Sequence, residues 1–110
     1  MSRRFAPLYT DAFHLCAWIQ QRMADKGEVL PNRLCASALD LLGAVTLALN
    51  GRGREEQIEY ADDCLILLRT QIRLAMHCGH LAESQMLYAL ERADAIGRQL
   101  GGWKKSLEAG

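Results

Sequence analysis

The residues best equipped for chemistry are the histidines, the cysteines and the carboxylates. His77-Cys78-Gly79-His80 brings three metal-binding side chains into four positions, and imidazole and thiolate both suit zinc. Zinc asks for a closed set of ligands, and no second cluster elsewhere supplies the rest, so a polar helix end is the better reading. His14 stands near Asp11 and Cys16, but a nucleophile also needs a base and an orienting group, and no such arrangement is readable. No glutamate is followed three residues later by histidine, as a di-iron carboxylate bundle requires. No GxxxxGK[ST] loop or GxGxxG turn is present, and Gly51-Arg52-Gly53 is too short and follows a helical pattern. The expectation is a non-enzymatic chain with no metal and no cofactor.

The four cysteines, Cys16, Cys35, Cys64 and Cys78, form no CxxC pair, and each lies beside apolar residues. They read as buried free thiols of a reducing compartment rather than a disulfide framework. Thirteen Lys and Arg balance thirteen Asp and Glu, so bulk charge does not recommend nucleic acid. There is no 18-residue uncharged apolar run and no secretory leader at Met1-Ser2-Arg3-Arg4-Phe5, so no membrane is expected and a cytoplasmic location is the default.

The elements that must position these residues are helical. The 110 residues are half hydrophobic and rich in Leu and Ala, which suits one all-α domain over residues 1–110. The spacing predicts a helix over about 7–26, with Leu8, Ala12, Leu15, Cys16, Ile19 and Met23 on one stripe. A second, over about 31–49, carries Leu34, Ala38, Leu41, Leu42, Val45 and Leu49. Asn50-Gly51-Arg52-Gly53-Arg54 then forms a tight connector. A third, over about 54–78, carries Ile58, Ala61, Leu65, Leu68, Ile72 and Ala75, with Glu55, Glu56 and Glu59 at its positive end and Gly79 behind it. The fourth carries Met86, Ala89, Ala93, Ile96, Leu100, Trp103 and Leu107 and starts near Ala82 without a good capping residue. Glycine propensity would end it at Gly101, whereas the phase of Trp103 and Leu107 carries it to about residue 106. Short connections favour an up-down-up-down antiparallel four-helix bundle. A second apolar row on the third helix, Cys64, Leu67, Leu74 and Cys78 interrupted by Gln71, asks for another surface and predicts an oligomer.

That topology gathers Arg22, Lys26, Arg33, Arg69 and Arg73, with His77 and His80, against Asp25, Glu28 and Glu83 at one end. At the other end Arg3, Arg4, Arg52, Arg54, Arg98, Lys104 and Lys105 are offset by Asp11, the acids from Glu55 to Asp63, and Glu108. A neutral chain can therefore present a basic face, which oligomerisation multiplies. Arg69 and Arg73, one turn apart, can contact one phosphate backbone or acidic partner.

The ending Ile96-Gly97-Arg98-Gln99-Leu100-Gly101-Gly102-Trp103-Lys104-Lys105-Ser106 resembles that of the accessory variability determinant (Avd) proteins of diversity-generating retroelements. Leu67-Leu68-Arg69-Thr70-Gln71-Ile72-Arg73-Leu74-Ala75 and Ala38-Leu39-Asp40-Leu41-Leu42 are similar too, and the likeness spans about Tyr9 to Ser106. The resemblance implies a four-helix bundle that forms a homopentamer. It further implies binding to a reverse transcriptase and its template RNA in support of mutagenic retrohoming, the error-prone copying of a template repeat into a variable region. It makes Arg69 and Arg73 the first candidates for partner contact, joined by Arg22, Lys26 and Arg33. The Gly97, Leu100, Gly101, Gly102 and Trp103 ending becomes a motif that locks the fourth helix in place. Because family members tend to be basic and this chain is neutral, docking to the polymerase is the stronger expectation than direct RNA binding. The alternative is a ribosomal-RNA intervening-sequence-type four-helix oligomer, structural or RNA-binding, with no polymerase partner.

Overall fold

Leucines and alanines at three- and four-residue intervals wind the chain into four helices: α1 Ala6–Met23, α2 Val29–Leu49, α3 Arg54–His77 and α4 Glu83–Ala109. The computed structural model describes residues 6–109, and no strand occurs among them. Each helix packs on the next in sequence, and α4 also packs on α1, which makes the molecule a four-helix bundle 45 Å long and about half as wide.

The core is built from the predicted stripes. Leu8, Leu15, Ile19 and Met23 meet Leu34, Leu41 and Val45, then Ile58, Leu65, Leu68 and Ile72, then Ala89, Ala93, Ile96 and Leu100. No polar or charged residue is buried among the described residues. The α4 stripe uses alanine where the other helices use leucine, so its backbone can approach its neighbours closely.

Local backbone chemistry sets the ends. After Met23 the chain leaves the helix through Asp25 and Gly27, both at positive φ. α2 begins two residues before the expected Pro31, which therefore falls in its first turn. There its missing N–H is no loss. Gly79, at φ +86°, follows α3, and its amide and that of His80 return to Met76 and Ala75, a closing pattern that only a left-handed residue permits cheaply. α4 continues through Gly101-Gly102 to Ala109, so the phase of Trp103, which is buried, prevails over the local cost of glycine.

By length and composition α2 is long enough and apolar enough to cross a bilayer. It nonetheless carries Arg33 and Asp40 and packs its leucine stripe into the shared core.

Candidate partner-binding end

The connection between α1 and α2 meets the one between α3 and α4: His80 Nε2 lies 3.3 Å from Glu28 Oε2. Beneath them Gln20 donates to the Cys35 carbonyl oxygen at 3.0 Å, tying α1 to the start of α2. Lys26 and Arg33 are exposed on this end, as is Arg73 near the close of α3. None of the three has an ion-pair partner among the described residues.

Arg22 sits differently. Its guanidinium carbon lies 4.1 Å from the centre of the Trp18 ring, and Trp18 in turn packs against Tyr88 of α4 at 5.4 Å between ring centres. The Arg22–Trp18 pairing is legible as an i, i+4 step on one helix. Tyr88 is not, because it is brought in from a helix seventy residues away. The result is a cation stacked on the partly exposed Trp18 ring, which a second exposed ring, Tyr88, flanks, a surface suited to planar or anionic groups.

Arg69 is the residue whose surroundings say most. Its Nε donates to Asp94 Oδ1 of α4 at 3.1 Å, and its guanidinium lies across Gly97: a Cβ there would fall 2.6 Å from Nη2. Arg69 is thus engaged within the chain and largely covered, while Arg73, one turn on, projects free. Gly97 is the seat for this side chain. Leu100 and Trp103 enter the core, with the Arg54 guanidinium 5.7 Å from the Trp103 ring centre. Gly101 and Gly102 face open space, with nothing within 4 Å of where a Cβ would stand.

The opposite end is acidic in character. Glu55, Glu56, Glu59 and Glu108 surround a cleft of about 320 Å³, which Lys104 partly neutralises through a 2.6 Å contact with Glu59. That hydrogen bond and charge raise the Lys104 pKa. Asp11, nearby in sequence to His14, accepts instead from Gln99 at 2.7 Å. Arg3 and Arg4 lie outside the described residues.

His77-Cys78-Gly79-His80 forms no metal set: no group of three or more His, Cys, Asp or Glu able to hold an ion occurs among the described residues. All four cysteines are free, but the expectation that all are buried holds only for Cys16 and Cys64: Cys35 is half-buried, and Cys78, at the C-cap of α3, is exposed. Burial pushes the Cys16 and Cys64 thiols up, which makes them poor nucleophiles. Cys35 is raised for the same reason, with the neighbouring Cys16 adding to it. Arg52 and Lys105 at the acidic end likewise lack an ion-pair partner among the described residues, so the two ends differ in their balance of acids and cations rather than in having unpaired cations.

Compared with family models, with curated proteins and with solved structures, the chain matches none.

Proposed function

We propose that this chain is a cytoplasmic, non-catalytic accessory subunit of a diversity-generating retroelement, binding the reverse transcriptase and, through it, the template RNA. The single observation that carries the reading is the cluster at one end of Lys26 and Arg73, without ion-pair partners among the described residues, beside Arg22 stacked on Trp18. Cations without internal partners retain their full attraction for an acidic surface or a phosphate backbone, and that attraction weakens as salt rises. The Ile96-Gly97-Arg98 and Gly101-Gly102-Trp103 ending adds its resemblance to the Avd proteins. Arg69, tied to Asp94, serves in this reading to fix α3 against α4, leaving Arg73 as the α3 contact.

The same reading takes the bundle to be up-down-up-down. Supporting it, Asp11 bonds Gln99 while Trp18 meets Tyr88, and Glu59 meets Lys104 while Arg69 meets Asp94. In each set, one partner's number rises as the other's falls. It also takes the chain to self-associate, into five copies by the resemblance. The exposed row on α3, where Leu67 is 59% exposed, supports an oligomer.

The test is co-purification of the tagged chain with the reverse transcriptase encoded beside it, with and without nuclease. Retention after nuclease is expected. Lys26→Glu with Arg73→Glu should abolish it while circular dichroism stays unchanged. Absence of a polymerase gene there, or unaltered capture by the double variant, sinks the assignment.

A further inference from the structure

Between α2 and α3 runs a groove of about 470 Å³. Leu39, Gly43, Ala44, Leu47 and Tyr60 are among the residues that line it, together with the acids Asp40 and Glu56. Leu39, Leu47 and Tyr60 are 54%, 44% and 49% exposed. Farther along α3 the row continues through Leu67, Gln71 and Leu74. Tyr60, Cys64, Leu67, Gln71, Leu74 and Cys78 alternate at four and three residues, the seam spacing of helices that pack on another helix. Within that row the Gln71 side-chain oxygen is shielded from solvent and has no donor among the described residues.

We infer that a second copy of this chain covers the face, turned end for end about a two-fold axis beside Leu67. The inference rests on the opposed run of α2 and α3 proposed above and is otherwise independent of the polymerase. Charge placement argues for the two-fold. Asp40 lies beside Tyr60 and Cys64. Arg33 stands seven residues earlier on the same face of α2, about 10 Å along its axis. A two-fold midway between them sets each copy's Arg33 against the other's Asp40, twice per interface. The same rotation carries each Leu74 about 25 Å along α3 to the level of the other's groove, where glycine and alanine leave room. It also opposes the acidic start of α3, from Glu55 to Asp63, to the Arg33 and His77 end. Side-by-side packing of this face on itself in the same sense would place Asp40 on Asp40 instead. Arg33 thereby belongs to the contact between copies, and Arg22, Lys26 and Arg73 remain outside it. A ring of five that also used this face would stack into ten.

The experiment uses the purified chain alone, so loss of polymerase binding moves none of its readouts. Sedimentation at micromolar concentration should give an even number of copies. Arg33→Asp and Asp40→Arg, each alone, should weaken association about tenfold or more by setting like charges together, and the two combined should restore it. In a Cys78→Ser background, Leu67→Cys should cross-link between chains on oxidation, and Phe13→Cys on α1 should not. Asp40→Cys with Tyr60→Cys reports the α2–α3 register within one chain, so failure of the bundle arrangement is read separately. Only odd copy numbers, a swap that does not rescue, or Leu67→Cys linking no faster than Phe13→Cys overturns the proposal.

Discussion

The guanidinium of Arg69 occupies the space that a side chain on residue 97 would need. A Cβ built on Gly97 meets Arg69 Nη2 at 2.6 Å and Leu65 Cδ2 at 3.3 Å, and the same arginine reaches Asp94, three residues earlier on α4, at 3.1 Å. A helical glycine ordinarily costs about 0.5–1 kcal/mol against alanine. Here that cost is offset by a notch in which α3 rests a long cation on α4.

The notch predicts non-additivity. Gly97→Ala alone should change stability by less than about 0.5 kcal/mol, because the gain in helix propensity is cancelled when Arg69 is displaced and Leu65 is pressed. In an Arg69→Ala background the same substitution should stabilise by about 0.5–1 kcal/mol. Urea midpoints of the four proteins in this cycle measure the difference. Strict additivity would falsify the notch.

The start of α4 makes a second prediction. The sequence shows no capping residue at Ala82, yet Gln85 Oε1 accepts from the Ala82 amide at 2.9 Å, the returning half of a capping box. Gln85→Ala should cost about 0.5–1 kcal/mol and speed amide exchange at Ala82 and the residues just after it, leaving the far end of α4 unchanged. Equal protection in both proteins would show that the bond contributes nothing.

These two contacts mark where the sequence stops being legible. The stripes were readable because burial follows the helical period: Leu8 through Met23 and Ile58 through Ala75 lie in the core as spacing requires. The turn at Gly79 was readable because positive φ selects glycine. Arg69–Asp94 was not, since its partners are 25 residues apart and a surface pair carries too little energy to leave a pattern. Nor was the Trp18–Tyr88 contact, which depends on how α1 and α4 are offset along the bundle. The Gln85 cap was legible in principle, as a glutamine three residues after the boundary, and hidden by the absence of its usual serine or threonine. The basic end was readable in composition, but which arginines stay free is decided by side-chain partners on other helices.

The thiols predict a pH response. Cys16 and Cys64 are held above the ordinary thiol range, chiefly by burial. In the unfolded chain they ionise near pH 8.5, about the free thiol value. Their contribution is therefore complete below that pH and is lost as pH rises toward their folded values, since only the unfolded state releases the proton early. Lys104 and Tyr60, also raised, act in the same direction at higher pH. The urea midpoint should be flat from about pH 7 to 8 and fall from about pH 9. Iodoacetamide should reach Cys16 and Cys64 only on unfolding. Labelling of all four at one rate would contradict the burial.

Gly101 and Gly102 make the last prediction. Both lie inside a helix that runs to Ala109, both are exposed, and nothing stands within 4 Å of either missing Cβ. Neither is at positive φ, so alanine meets neither strain nor a clash. Unlike Gly97, they have no side chain resting on them to offset the gain. Gly101→Ala with Gly102→Ala should therefore stabilise the chain by about 1–2 kcal/mol in total. Trp103 would keep its buried emission, read in a Trp18→Phe background that leaves it the only tryptophan. A loss of stability, or a red shift of that emission, would mean that α4 does not continue straight through the pair. In that case Trp103 would reach the core by a bend that glycine alone allows.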